Sequence, residues 1–478
     1  MQIHKMYIGG RWVEAESGKT FATVNPSTGE EIGFVPCAGE ADVDKAVKAA
    51  RAAFNIWSKK TQAERSKELM KIAEAIRANA DELAKLEGLE HGTPYKDALG
   101  ATMGAADKFE YCAGTAPTLM GQHIPVKDGT LSYLQCEPVG VIGFIIPWNL
   151  PTIMTAVKLA PALAVGNTCV LKPPSINSMI GLKFAEILSQ TDLPPGAVNV
   201  ITGPGGSVGS AIARHPDIDL IGFTGSSETG KQIMSNASGT VKKCVMELGG
   251  NNPVIIMADA DLDASLKVLA WRQFNNSGQH CSGPGRYYVH EKVYDQFCEK
   301  YVAYAKTVVV GDPKDEATTM GPVVSKEHRD KVEGYIKKGV EEGATILCGG
   351  EKPEALRKGF FVMPTILSNA AHDMVIAKEE IFGPVAVIIK YTDKDDILAL
   401  ANDSPYGLCA HVWTKSIAKG MQLVNNLHVG SVFINCQMLS NEQPWGTGIK
   451  ESGIGKEGGM VGMAEFTDLK LVAINYMV

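Results

Sequence analysis

The sequence predicts an α/β protein made of two doubly wound domains and a small β element, on three observations. A chain of 478 residues, 45% hydrophobic and 21% charged, can bury more than one core. From residue 138 onward, short apolar runs alternate with stretches of helical periodicity, the pattern of a mostly parallel sheet with helices on both faces. Between residues 117 and 137, Asp128-Gly129 separates two extended pieces of "PTLMGQHIPVKDGTLSYLQCE", a turn signal for a hairpin that leaves the first domain.

Taken in order, the first hundred residues read as a helical layer. "EADVDKAVKAARAAF" is followed by "TQAERSKELMKIAEAIRANADELAKL", in which Thr61 and Glu64 form a capping-box pattern and Leu69, Ile72, Ala73 and Ile76 share one face. "PVGVIGFIIPWN", "PTIMTAVKLAPALAVGN" and "TCVLKPP" then make one βαβ unit. The alternation continues through "AVNVITG", "SVGSAIARH", "LIGFTGS", "SETGKQIMSNA" and "KKCVMELGG". A second series follows Asn251, with "PVIIMADADLD", the helix "DASLKVLAWRQF" and the strand "RYYVHEKV", and runs to about residue 435. Two Rossmann-like sheets are the economical reading.

Composition narrows the function. A formal net charge of -7 gives no general pull toward nucleic acid or anionic membrane. The first residues contain no apolar segment with a cleavage site, and no apolar run is long enough to span a bilayer, so a cytoplasmic protein is expected. The ten cysteines are scattered without a CxxC pair or a Cys/His cluster, which suggests neither a metal site nor a disulfide framework.

In an open parallel sheet, ligands collect beyond the carboxyl ends of the strands, so the residues just after apolar runs are the places to look for chemistry, although each such segment also reads as a plain loop. Four segments qualify: Pro147-Trp148-Asn149-Leu150, Lys172-Pro173-Pro174-Ser175, Thr224-Gly225-Ser226 and Glu247-Leu248-Gly249-Gly250. In "FTGSSETG", Gly225 and Gly230 flank a strand-to-helix turn whose amides suit a pyrophosphate, although a simple N-cap explains the same residues. In "FNNSGQHCSGPGR", Cys281 sits among small and polar residues that offer backbone amides and little apolar wall, which suits a nucleophile better than a core thiol. A thiolate that attacks a carbonyl makes an oxyanion, and the backbone N–H of Cys281 with the side-chain amide of Asn149 would receive it. His280 is adjacent in sequence, and neighbours on a turn diverge, so a Cys/His dyad is not expected.

"MELGGNNP" and "FNNSGQHC", together with "PWNLP", "LKPP", "GFTGS" and "KEEIFGPV", resemble the NAD(P)-dependent aldehyde dehydrogenase superfamily, and the likeness runs from "MYIGGRWV" to "FTDLKLV". The resemblance implies a nucleophile at Cys281, a general base at Glu247, an oxyanion donor at Asn149 and a proton-path lysine at Lys158. It implies NAD or NADP as cofactor, held by Ile145, Ile146, Pro147, Trp148, Lys172, Ser175, Gly205, Phe223, Gly225, Ser226, Leu248, Gly249, Glu380 and Phe382. The expected reaction passes through a thiohemiacetal, hydride transfer to nicotinamide and hydrolysis of a thioester to a carboxylic acid. Residues 1–116 and 138–248 would form the dinucleotide-binding domain, 249–462 the catalytic domain, and 117–137 with 463–478 an oligomerisation element of a homodimer or homotetramer.

Departures from the family pattern sharpen the expectations. Many members carry glutamate where this chain has Ser175; without that carboxylate, repulsion of a 2′-phosphate falls by about a kcal/mol or more, so NADP is expected to be accepted and preferred. Asp468 stands in "FTDLK" where the resemblance implies a glutamate, and its side chain is one methylene shorter. The substrate tunnel would be lined by Leu150, Ile153, Met154, Val157, Met438, Leu439 and Trp445, with no arginine among them, which favours an apolar aldehyde. Glu442 offers a contact for a cationic aminoaldehyde. A coenzyme A-acylating enzyme is disfavoured by Glu247, a phosphorylated aldehyde by the lack of positive charge, and a non-enzymatic homologue by the presence of Cys281, Glu247 and Asn149.

Overall fold

The computed structural model describes residues 2–351, 356–437, 440–444, 446 and 448–477. Among these, eight strands form the first sheet, in the order Gly453–Ile454, Lys243–Glu247, Leu220–Thr224, Val141–Ile145, Thr168–Lys172, Val198–Val200, Met6–Ile8 and Arg11–Val13. The five from Lys243–Glu247 to Val198–Val200 are parallel to one another. The chain winds outward through Thr168–Lys172 and Val198–Val200, then returns to lay Leu220–Thr224 on the other side of Val141–Ile145. That reversal is the topological switch point, where a cleft opens beyond the strand ends.

Burial explains why these strands read as unbroken apolar runs. Every residue of Val141–Ile145, Thr168–Lys172 and Leu220–Thr224 is buried, as a parallel sheet covered on both faces requires. Val141 and Ile145 pack with Val43, Ala46 and Val47 of the helix Glu40–Trp57. Ile142 and Phe144, one residue out of phase, pack on the opposite face with Leu69, Ile72 and Ile76 of the helix Gln62–Ala78 and with the helix Pro151–Ala164.

The second sheet runs Thr345–Cys348, Thr365–Ser368, Val385–Tyr391, Pro284–His290, Asn252–Ile256, Cys409–Trp413 and Ser431–Ile434. All pairs but the first are parallel. A third, smaller sheet joins Thr467–Asn475 antiparallel to Thr130–Pro138, from Thr467 opposite Pro138 to Asn475 opposite Thr130, with Gln122–His123 on the far side. The turn at Asp128-Gly129 lies between these last two strands, and Gly129 has φ +81°.

Two boundaries differ from the sequence reading. Gly453–Ile454, within the stretch 249–462, pairs with Lys243–Glu247 at the edge of the first sheet. Met463 and Phe466, within 463–478, pack into the core of that same sheet before the chain enters the small one. No helix among the described residues is long and apolar enough to cross a membrane.

Candidate active site

The segment that carries Cys281 is set by backbone geometry. The helix Leu262–Phe274 ends, and Asn276, Ser277 and Gly278 follow in left-handed conformations with φ of 51°, 56° and 71°. A side chain at Gly278 would place its Cβ 2.2 Å from the Gly383 carbonyl oxygen, so the turn demands glycine. The loop is then pinned from several sides. Ser277 Oγ donates to Gly321 O at 2.7 Å, Val324 N to Gln279 Oε1 at 2.9 Å, and Asn252 Nδ2 to Cys281 O at 2.8 Å. Strained, over-determined backbone of this kind holds a side chain where packing alone would not.

Asn149 reaches the same loop from the end of Val141–Ile145, its Nδ2 donating to Gln279 O at 2.8 Å. His91, a residue the sequence reading passed over, ties the two segments together. Its Nε2 lies 3.0 Å from Asn276 Oδ1, its Nδ1 faces Asn177 Nδ2 at 3.3 Å, and Asn276 Nδ2 donates to Asn149 O at 2.7 Å. Burial pushes the His91 ring down to about 4, so it is neutral and can donate through Nε2 while accepting at Nδ1. His280 Nε2 faces Asn275 Oδ1 at 3.2 Å.

Burial pushes the Cys281 thiol up to about 12; the charges of Glu247 and Glu380 add to the rise and Arg272 opposes it. Glu247 ends its strand fully buried, its Oε1 without a hydrogen-bond partner among the described residues. Burial, then the charge of Glu457, holds its carboxyl well above the usual range, against the pull of Lys158. Lys158 is buried on the helix Pro151–Ala164 and pairs with Glu457. A backbone bridge between Gly446 and Glu457 delivers that carboxylate, and a Cβ at Gly446 would crowd Glu247 Cδ at 2.7 Å. Asp468 lies away from this cluster, exposed on the small sheet opposite Glu137. Sequence did contain a signal for Glu457, because a lysine inside the apolar helix "TAVKLAPAL" requires a buried counter-charge.

The residues expected to hold a dinucleotide lie along the carboxyl ends of the parallel strands. Ile145, Ile146, Pro147 and Trp148 follow the first strand, Lys172 and Ser175 the second, Gly205 the third, Phe223, Gly225 and Ser226 the fourth, and Leu248 and Gly249 the fifth. Ser226 Oγ caps the helix Ser227–Ala237 by accepting from Thr229 N at 3.2 Å, and that helix aims its positive end at the cleft. Lys172 is buried, its ammonium donating to Pro173 O at 3.0 Å, and burial lowers it to about 8. From the second sheet, Glu380 Oε1 accepts from Gly250 N at 3.0 Å, and a Cβ at Gly249 would meet Glu380 Oε2 at 2.6 Å. Phe382, at φ +59°, stands edge-on to Trp148 with ring centroids 5.4 Å apart. This cradle, floored by glycines and closed by Glu380 and Phe382, fits a dinucleotide.

Cys281 and Asn149 open onto one cavity of about 260 Å³. Leu150, Ile153, Met154 and Val157 line it as expected, joined by Phe433 and Leu269. Met438, Leu439 and Trp445 lie outside the described residues. Arg272 and Lys108 also line it, which corrects the expectation of a tunnel without arginine. Arg272 was hidden in the helical run "LAWRQF", where periodicity reads as packing. Glu442 is exposed and outside this lining.

With the geometry in place, the comparisons decide the family. Residues 12–472 match the model of the aldehyde dehydrogenase family. The chain belongs to that family. It is 43% identical to the mitochondrial aldehyde dehydrogenase of Mesocricetus auratus over 98% of this chain and 95% of the relative. It is 41% identical to the betaine aldehyde dehydrogenase of Bacillus subtilis (strain 168), over 98% and 97%. The structure of the NAD+ complex of the Bacillus cereus aldehyde dehydrogenase superposes with a TM-score of 0.95 at 42% identity, covering 99% of this chain and 96% of that one. This aldehyde dehydrogenase is an NAD(P)-dependent oxidoreductase acting on an aldehyde.

Proposed function

We propose that Cys281 is the nucleophile that oxidises the aldehyde to a carboxylic acid, with Asn149 and the Cys281 amide receiving the oxyanion, Glu247 acting as base and Lys158 serving the proton path. One observation carries this reading: Cys281 and Asn149 face the same cavity, and the Asn149 amide is fixed at 2.8 Å on the carbonyl of Gln279, two residues before the thiol. That contact uses one amide proton and leaves the other for a substrate oxygen. As the Cys281 sulfur bonds to the carbonyl carbon, negative charge collects on that oxygen, and donors held in place beforehand stabilise it without reorganising. Bound NAD or NADP supplies the hydride acceptor. Hydrolysis of the thioester then needs a base, and a carboxylate held above its ordinary range is well matched to taking a proton from water near neutrality. The Lys158–Glu457 pair beside it gives that proton a buried route.

Glu247→Gln should leave acyl-enzyme formation intact and block its hydrolysis, so a mass increase on Cys281 should accumulate after aldehyde and NAD+ are mixed. Unchanged steady turnover would remove Glu247 from this role, and reduced cofactor formed by Cys281→Ala at the parental rate would remove the nucleophile.

The finer reading is an aldehyde with a hydrophobic body, supported by the apolar wall of Leu150, Ile153, Met154, Val157 and Phe433. No acid lines the cavity among the described residues, which argues against a cationic aminoaldehyde. NADP is the preferred cofactor on this reading. Ser175, half-buried, donates its hydroxyl to Gly203 O at 2.9 Å and puts no carboxylate in the way of a 2′-phosphate. Initial-rate titrations should give the larger kcat/KM with NADP, and a much larger value with NAD would overturn the preference. Ten free cysteines suit a reducing cytoplasm.

A further inference from the structure

We propose that the aldehyde oxidised here carries an anionic group, in the simplest case a carboxylate, seated against Arg272 and Ser282; the proposal rests on Cys281 being the nucleophile. Arg272 stands in the last turn of the helix Leu262–Phe274, and its Nη2 donates to Ser282 Oγ at 2.6 Å, the hydroxyl next in chain to Cys281. Among the described residues its guanidinium makes no ion pair. Lys108, from the helix Tyr95–Thr115, lines the same cavity with its Nζ buried and without a hydrogen-bond partner among the described residues.

The charge balance of the cavity follows directly. Arg272 and Lys108 are its only ionic side chains among the described lining, which holds neither Asp nor Glu. His280 and His411 also line it; burial, with the Arg272 charge, holds both rings well below their ordinary range, so both are neutral. Among the described residues Arg272 has no ion pair, and Lys108 has only the through-space pull of Glu442 and Glu457, so two buried cations beside apolar walls are costly to keep unless a ligand brings an anion. The guanidinium is a planar fork suited to a carboxylate; Ser282 occupies part of it, leaves donors free, and can donate its own hydroxyl proton to the same anion. Because Ser282 adjoins Cys281, the anion and the reacting carbonyl belong to one compact molecule, a short oxo-acid whose carbon chain lies on Leu150, Ile153 and Val157. The product is a dicarboxylate.

The test compares 5-oxopentanoate with uncharged pentanal and cationic 4-aminobutanal, and reads ratios of kcat/KM. The wild type should favour the oxo-acid over pentanal by about 30-fold, and Arg272→Gln should lower that ratio about 30-fold, about 2 kcal/mol at 1.4 kcal/mol per decade. Arg272→Lys should restore part of it. A structural role for Arg272 would reduce both substrates together and leave the ratio unchanged, which overturns the proposal, as does a wild type that prefers pentanal or the aminoaldehyde. Turnover of none of the three would instead strike at Cys281 as nucleophile. Should Arg272→Gln fail to fold by thermal melting, calorimetry on the cofactor-free protein decides. Glutarate should bind saturably, and at least tenfold more weakly to Lys108→Gln; equal binding to both proteins, or none to the wild type, overturns the proposal.

Discussion

At the scale of single residues, the site separates what sequence shows from what only the fold can supply. Asn149 and Glu247 stood out as candidates because each follows an apolar run, and Cys281 because it sits among small and polar residues after a helical stretch, where a packing role is a poor explanation. The resting state of the thiol was not legible, since it depends on walls contributed by distant segments. With Cys281 pushed up to about 12 by burial and by Glu247 and Glu380, the neutral thiol dominates near pH 7 and the thiolate grows about tenfold per pH unit. Iodoacetamide labelling of Cys281, followed by peptide mass, should accelerate about tenfold per unit with no plateau up to pH 10. Arg272→Gln should slow it at every pH, because the guanidinium charge opposes the rise. A plateau between pH 6 and 8 would show a thiol already activated and overturn this account. Arg272 escaped the sequence because a charged residue in a helical stretch declares its role only when its partner, or the want of one, is in place, and Glu457 was signalled only indirectly, by the buried Lys158 that it pairs with.

At the scale of elements, local rules were reliable where the signal was local. Thr61 Oγ1 accepts from Glu64 N at 3.3 Å while Thr61 N donates to Glu64 Oε2 at 2.7 Å, so the capping box read from the sequence does start a helix. Its end was less visible, because the apolar face continues through Asn79 into the separate helix Ala80–Glu90. The break at Asn79, with φ -103° and ψ 14°, lets Glu90 reach the start of another helix, where its carboxylate accepts from Met179 N at 3.0 Å and Ile180 N at 3.1 Å. The first residues hid a strand pair altogether. Met6–Ile8 and Arg11–Val13 turn on Gly9 and Gly10, at φ +59° and +80°, and the pair is too short to show alternation. The parallel, doubly wound arrangement came through because a βαβ series has few allowed windings. The edge strand Gly453–Ile454 did not, because two residues carry no period.

At the scale of the whole molecule, the small sheet is the part that this chain leaves incomplete. Leu469 and Leu471 are 64% and 62% exposed on one face of Thr467–Asn475, while Ile474 and its cross-strand partner Leu131 are 44% and 40% exposed on the other. Tyr476 and Met477 continue the strand, at 64% and 77%. A sheet with apolar side chains open on both faces, and a nine-residue edge strand with unpaired backbone groups, is a surface that natural proteins cover. We propose that a second copy of this chain covers it, in the homodimer or homotetramer expected from the sequence. The edge strand is continuous with Phe466, which is buried against Phe144 of the first core, so this edge is anchored to the sheet that carries Asn149 and Glu247. Sedimentation equilibrium should therefore give a mass of at least twice the 51.1 kDa chain. Replacing Leu469 and Leu471 together with Asp, which places charge on the open face without touching the cavity, should shift the population toward the single chain. A wild type that sediments at 51.1 kDa at micromolar concentration would overturn the assignment of this sheet.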